Sequence, residues 1–90
     1  MKALALINDS AGGVAQIGAA PLLSILDDGL AAAGWRAIAE LGDADTLIEA
    51  ARRAAGIDAV VCAGGDGTQA AVAGALLGRG VPLLPLPCGT

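Results

Sequence analysis

The sequence predicts a three-layer α/β/α domain built on a parallel sheet, and three observations carry that prediction. Short apolar runs suited to buried strands alternate with longer stretches of helical pattern. The most apolar short run, Ile57-Asp-Ala-Val-Val-Cys62, is rich in β-branched residues and reads as a strand buried on both faces, the habit of parallel sheets. Directly after it, Ala63-Gly-Gly-Asp-Gly-Thr68 places three glycines on a strand-to-helix turn, the part of a parallel sheet where ligands bind.

Taken in order, Lys2 to Ile7 reads as the first strand, and Asn8-Asp-Ser-Ala-Gly-Gly13 as a polar turn. Pro21 suits the first turn of a helix that continues through Leu22, Leu23, Ile25, Leu26 and Leu30, with Asp27 and Asp28 on its wet face and Gly34 closing it. Trp35 to Leu41 reads as a second strand, near a sheet edge because it carries Arg36 and Glu40. The second helix opens at Asp43-Ala-Asp-Thr46, with Thr46 and Glu49 spaced as a capping box. Leu47, Ile48, Ala51, Ala54 and Ala55 form its apolar stripe, and Gly56 ends it. Glu49 is spaced to pair with Arg52 or Arg53. After the third strand and its turn, Gln69 to Leu77 reads as a helix closed by Gly78, and Val81 to Leu86 as a last strand. The order β-α-β-α-β-α-β implies right-handed crossovers. The Asn8 turn, the Gly64 turn and Cys88-Gly-Thr90 then share one rim, with the first and third strands as neighbours.

Composition narrows the function. The 90 residues carry a net charge of −4, and only Lys2, Arg36, Arg52, Arg53 and Arg79 are positive, so no basic face for nucleic acid can be assembled. Phosphate binding must lean on backbone donors, helix ends and a cation. Trp35 is the single aromatic residue, which leaves packing to Ala, Leu, Val and Ile. The two cysteines, Cys62 and Cys88, lack metal-ligand spacing and histidine is absent, a pattern of reduced, buried thiols in a cytoplasmic protein, with a disulfide between the two strand ends as the alternative. No apolar stretch approaches the roughly 20 residues of a membrane span.

In the turn, glycines permit positive φ and let a ligand approach the main chain, and Thr68 is placed to cap the following helix. Asp66 adds a carboxylate at a place suited to an anion, which makes sense where a metal or bridging water mediates. A plain tight turn with Asp66 or Thr68 as the cap is the alternative.

The Gly-Gly-Asp-Gly-Thr string at residues 64–68 resembles the signature of the diacylglycerol kinase catalytic domain, a family that includes sphingosine, ceramide and bacterial lipid kinases. Val81-Pro-Leu-Leu-Pro-Leu-Pro-Cys-Gly-Thr90 resembles that family's strand followed by Leu-Pro-x-Gly-Thr. The more distant NAD kinases carry an Asn and a Leu-Gly-Phe turn there, and this sequence does not. The Asn8 loop is similar to the family's Asn-Pro-x-Ser-Gly-Gly loop, with Asp9 in place of proline and Ala11 in place of serine.

The resemblance implies a Rossmann-like, incomplete nucleotide-binding lobe over residues 1–90, the N-terminal part of the catalytic domain, without the second, β-rich lobe. It implies transfer of the γ-phosphoryl group of ATP to a lipid hydroxyl of diacylglycerol or sphingosine type. Asp66 would be catalytic, acting on Mg²⁺ through water. Asn8, Gly12, Gly13, Gly64, Gly65, Gly67, Thr68, Gly89 and Thr90 would border the nucleotide. The lipid acceptor and any peripheral membrane contact would belong to the other lobe, so the chain alone is expected not to phosphorylate lipid. An unpaired last strand leaves room for marginal stability or self-association, partly blocked by Pro82, Pro85 and Pro87. Many relatives follow the glycine motif with x-Asn-Glu, whereas this chain has Gln69-Ala-Ala71. That departure supports a second reading, a non-catalytic nucleotide-binding or interaction module, or a truncated remnant of the kinase.

Overall fold

A computed structural model describes residues 1–87; Cys88, Gly89 and Thr90, two of them expected at the site, lie outside the described residues. Four strands, β1 (Lys2–Asn8), β2 (Arg36–Gly42), β3 (Ala59–Gly64) and β4 (Leu83–Pro87), form one parallel sheet in the order β2-β1-β3-β4. Helices α1 (Gly12–Ile17) and α2 (Ala19–Ala32) lie on one face, and α3 (Ala44–Arg53) and α4 (Asp66–Ala75) on the other. The expected three-layer α/β/α fold and the pairing of the first and third strands are both observed.

The central strands are buried because helices cover both of their faces. Ala3 to Asn8 of β1 and all of β3 are buried, whereas β2 at the edge is largely exposed. Leu4, Leu6, Val60 and Cys62 pack against Leu47, Ala50, Ala51, Val72 and Leu76 of α3, α4 and the residue after α4. Their alternates Ile7 and Ala63 meet Val14 of α1 and Leu22 of α2. Leu6, Ile7, Leu47 and Val60 are fully buried, and each such side chain is worth roughly 1.5–3 kcal/mol relative to exposure. Aliphatic packing therefore carries this core.

Three local expectations need correction. The first crossover is two helices, not one, broken at Gly18 with φ +96°. The cause is Pro21: in a continuous helix its ring would collide with the carbonyl of Ile17, four residues back. At α3 the cap is Asp43, whose carboxylate accepts the Thr46 N–H at 2.9 Å. Thr46 lies inside the helix, so no capping box starts there, and Glu49 instead pairs at 3.8 Å with Arg52 on the surface. The third strand runs to Gly64 and α4 begins at Asp66, because pairing with β4 persists through Gly64. By contrast, Gly34 closes α2 as expected. It has φ +84°, its N–H reaches Ala31 O, and Trp35 N–H reaches Leu30 O, the paired bonds of a Schellman end.

The topology fixes where a ligand can sit. From β1 the chain crosses to β2 on one side, then returns through α3 to β3 on the other side of β1. The order reverses between β1 and β3, and the crevice beyond their C-terminal ends is the switch point of the sheet. No helix among the described residues is long and apolar enough to cross a membrane.

Candidate functional site

Two turns meet at the switch point, one after β1 and one after β3. They are tied by a buried bond, in which Asn8 Nδ2 donates to Thr68 Oγ1 at 2.9 Å. The other amide atom of Asn8, Oδ1, accepts the Ser10 N–H at 2.9 Å and shapes the turn. Asn8 and Thr68 are only 9% and 8% exposed, which makes them the frame of the site. Thr68 therefore does not cap α4 as the sequence suggested. It is the third residue of the helix, and its hydroxyl faces the sheet.

The cap position falls to Gly65, and no side chain caps the helix. The same is true of α1, where Ala11 is the cap residue and Gly12 and Gly13 form the first turn. The helices that follow both central strands thus begin at the rim without a side-chain partner. The first backbone N–H groups of any helix lack intrahelical acceptors and carry the positive end of its dipole.

Glycine serves different ends in this motif. A Cβ on Gly64 would come within 3.1 Å of Thr68 Cβ and Cγ2 and 3.4 Å of Asn8 Cβ, so the absent side chain lets strand and helix close up. A Cβ on Gly67 would meet nothing within 4 Å. That glycine faces open space beside the helix start. Gly64 and Gly67 do not use the positive φ expected of them; the described glycines with positive φ are Gly18, Gly34, Gly56, Gly78 and Gly80. Asp66, in the first turn of α4, is exposed.

Gln69 was not foreseen as part of this corner. Its Nε2 donates to Cys62 O at 2.6 Å, and lies 3.4 Å from Gly64 O and 3.3 Å from Leu86 O, tying the ends of β3 and β4. Its Oε1 is buried without a hydrogen-bond partner among the described residues. The readable signal was position: a long amide one residue after Thr68, in the first turn of a helix that follows a buried strand, can reach back to strand-end carbonyls.

The rim carries acids and no cation, although acids such as Asp58, which accepts from Lys2 N–H, also stand at the opposite end of the sheet. Asp9, Asp43, Asp45 and Asp66 stand at the C-terminal rim, after β1 and at the starts of α3 and α4. The cations lie towards the other end. Lys2 and Arg36 begin β1 and β2, and Arg52 and Arg53 stand in the last turn of α3. Arg79 donates to the carbonyls of Ala51 and Ala54 at the end of that helix. No group of three acidic, Cys or His side chains that could hold a metal ion exists among the described residues.

A parallel α/β sheet with uncapped helix starts and a glycine turn at its switch point belongs to the class of folds that bind ligands beyond the carboxyl ends of their strands. The sequence specifies which member of that class. Residues 2–90 match the model of the diacylglycerol kinase catalytic domain, and the chain belongs to that family. No curated protein matches it.

Proposed function

We propose that this chain forms the ATP-binding segment of a lipid kinase, in which the γ-phosphoryl group of ATP passes to the hydroxyl of a diacylglycerol- or sphingosine-like lipid. The observation that supports it most is the uncapped start of α4, flanked by open Gly67 and exposed Asp66 at the switch point. Phosphoryl transfer asks a protein mainly to position groups and offset charge. Backbone N–H groups at residues 65–68 would bind phosphate oxygens, and Gly67 would let them approach. Gly64, Asn8 and Thr68 would hold the turn in place.

The acidic rim bears on the cofactor. A bare polyphosphate would face Asp66 and Asp9 with no cation of the protein beside it, so the residues present fit a nucleotide that arrives with Mg²⁺. The metal supplies charge neutralisation when bound. Asp66 would hold it through water and orient the phosphates. Family membership supports the phosphotransfer class; ATP, Mg²⁺ and the lipid acceptor are the proposal.

The test is Asp66→Asn, measured as kcat for lipid phosphorylation with ATP and Mg²⁺ in the catalytically competent protein. A loss on the order of 10²–10³-fold is expected, the scale seen when a key electrostatic group is removed. Circular dichroism and melting temperature should stay close to those of the unmodified protein, because Asp66 is exposed. A near-normal kcat would reduce Asp66 to a favourable charge at a helix start.

A further inference from the structure

The two edges of the sheet are built differently. The register of β4 on β3, with Val60 N–H bonded to Pro82 O, turns the backbone groups of residues 82, 84 and 86 towards β3. Positions 83, 85 and 87 then face outward, and proline at 85 and 87 removes two of those three donors. That edge is blunted against pairing.

The β2 edge has no such protection. Arg36 N–H reaches Met1 O, and Gly42 O accepts from Asp9 N–H, so the even residues of β2 turn their backbone groups towards β1. Ala37, Ala39 and Leu41 therefore point theirs outward, with every donor intact. Small side chains leave the edge uncovered on the α2 face, where Ala37 and Ala39 floor a groove of about 370 Å³. Ile38 and Leu41 are 42% and 39% exposed.

We propose that the open edge of β2 is a two-fold, antiparallel pairing surface for a second copy of this chain, with Ile38 on the axis and Arg36 of each copy facing Glu40 of the other. The register follows from the sequence Arg36-Ala-Ile-Ala-Glu40, which is self-complementary when reversed. Ala37 pairs with Ala39 of the second copy through both backbone bonds, using only the outward groups. Ile38 meets Ile38, and Arg36 meets Glu40, at non-hydrogen-bonded positions where side chains approach most closely. Neighbouring registers are worse. Shifting the axis to Ala39 puts Ile38 against Glu40, shifting it to Ala37 puts Arg36 against Ile38, and an axis on Glu40 sets like charges face to face. The described sheets become one, eight strands from twice the four described in each copy. The rims stay free, because the axis lies at the side of the sheet away from β3.

Sedimentation velocity on the chain at micromolar to submillimolar concentration tests this. The unmodified chain should sediment near twice its 8.6 kDa mass. Glu40→Arg and Arg36→Glu, each alone, set like charges opposite at both pairs and should be monomeric. Mixed one to one, the two variants should restore the dimer, since each Arg then meets a Glu. Ala39→Pro should also be monomeric, with its far-ultraviolet spectrum retained, because it removes an outward donor and leaves every bond to β1. A monomeric unmodified chain, a species heavier than a dimer, a dimer that survives Ala39→Pro, or a mixture that stays monomeric would each overturn the proposal.

Discussion

At the end of β2, Gly42 passes the chain to Asp43, which caps α3, and Thr46 stands four residues past the glycine. At the end of β3, Gly64 passes it to Gly65, which occupies the cap of α4, and Thr68 stands at the same offset. The threonines explain both strand-end glycines, since a Cβ would come within 2.8 Å of Thr46 Cγ2 in one turn and 3.1 Å of Thr68 Cβ in the other. Even the cap dihedrals agree: φ −79°, ψ 176° at Asp43 and φ −79°, ψ 178° at Gly65. The backbone therefore does not require glycine at 65. Any residue adopts that extended conformation, and what glycine contributes there is the missing side chain. The first turn closes on itself, its helix start satisfied by its own carboxylate. The second is left open at the switch point. Leaving a cap as glycine costs only a few tenths of a kcal/mol, so the vacancy is inexpensive to keep.

Gly65→Asp breaks the comparison most sharply, because it rebuilds the closed turn on the open one. The new carboxylate should accept the Thr68 N–H as Asp43 accepts that of Thr46. It would occupy the donors proposed for phosphate and add a negative charge beside Asp66. Affinity for Mg²⁺-ATP, measured by titration calorimetry, should fall about 100-fold or more, the scale of a lost electrostatic anchor. The melting temperature should hold or rise slightly. Retained affinity in this variant would place the phosphates elsewhere.

The second largest effect concerns what each threonine does. Thr68 takes a buried bond from Asn8, whereas Thr46 is exposed. Asn8→Ala leaves the Thr68 hydroxyl buried without that donor and removes the Asx turn on Ser10. Unfolding in urea should show a loss of about 1–3 kcal/mol. In a cycle with Thr68→Ala the two changes should couple by more than about 0.5 kcal/mol. Thr46→Ala should cost no more than about 0.5 kcal/mol, as surface changes usually do. Strict additivity of Asn8→Ala and Thr68→Ala would mean the two turns are not joined through this bond.

How much of this was legible follows from where each signal resides. β3 announces itself because a strand covered on both faces has no polar alternation to blur it, and β2 shows its edge position through Arg36 and Glu40. Gly34 is readable as a helix end because the following Trp35 completes the Schellman bonds. α1 was not readable. Its first two residues are glycines, poor helix formers, and it holds through the burial of Val14 against Ile7 and Ala63. Thr68 looked like a cap because Ser and Thr usually are caps. Only the extension of β3 to Gly64 moves it to the third helical position, where its hydroxyl meets Asn8, 60 residues earlier in the chain. Gln69 was hidden for the same reason, since its partners Cys62 and Leu86 are fixed by sheet pairing. The motif locates the site; which residues frame it and which face outward depends on contacts between distant strands.

The smallest expected effect separates the turns by pH. The Thr46 backbone N–H beside the Asp43 carboxylate, helped by the Thr46 side chain, holds its pKa below the usual aspartate value of 3.8. A depressed folded-state pKa contributes stability that is fully present above the unfolded value and is lost as pH falls through the folded one. Asp43→Asn keeps a competent cap but cannot titrate, since Asn and Asp rank together at that position. The unmodified protein should therefore melt slightly higher than Asp43→Asn at pH 6. The difference should shrink as pH drops below 3.8 and disappear once the carboxyl is protonated. Because Asp43 is fully exposed, solvent screens the interaction and the gap should be a degree or two at most. In Gly65→Asp a second pH dependence of the same kind should appear, so that this variant and Gly65→Asn differ by a gap of similar size that closes over the same acid range. A gap that stays constant from pH 6 to pH 2.5 would show that the Asp43 carboxylate is not what closes the β2 turn.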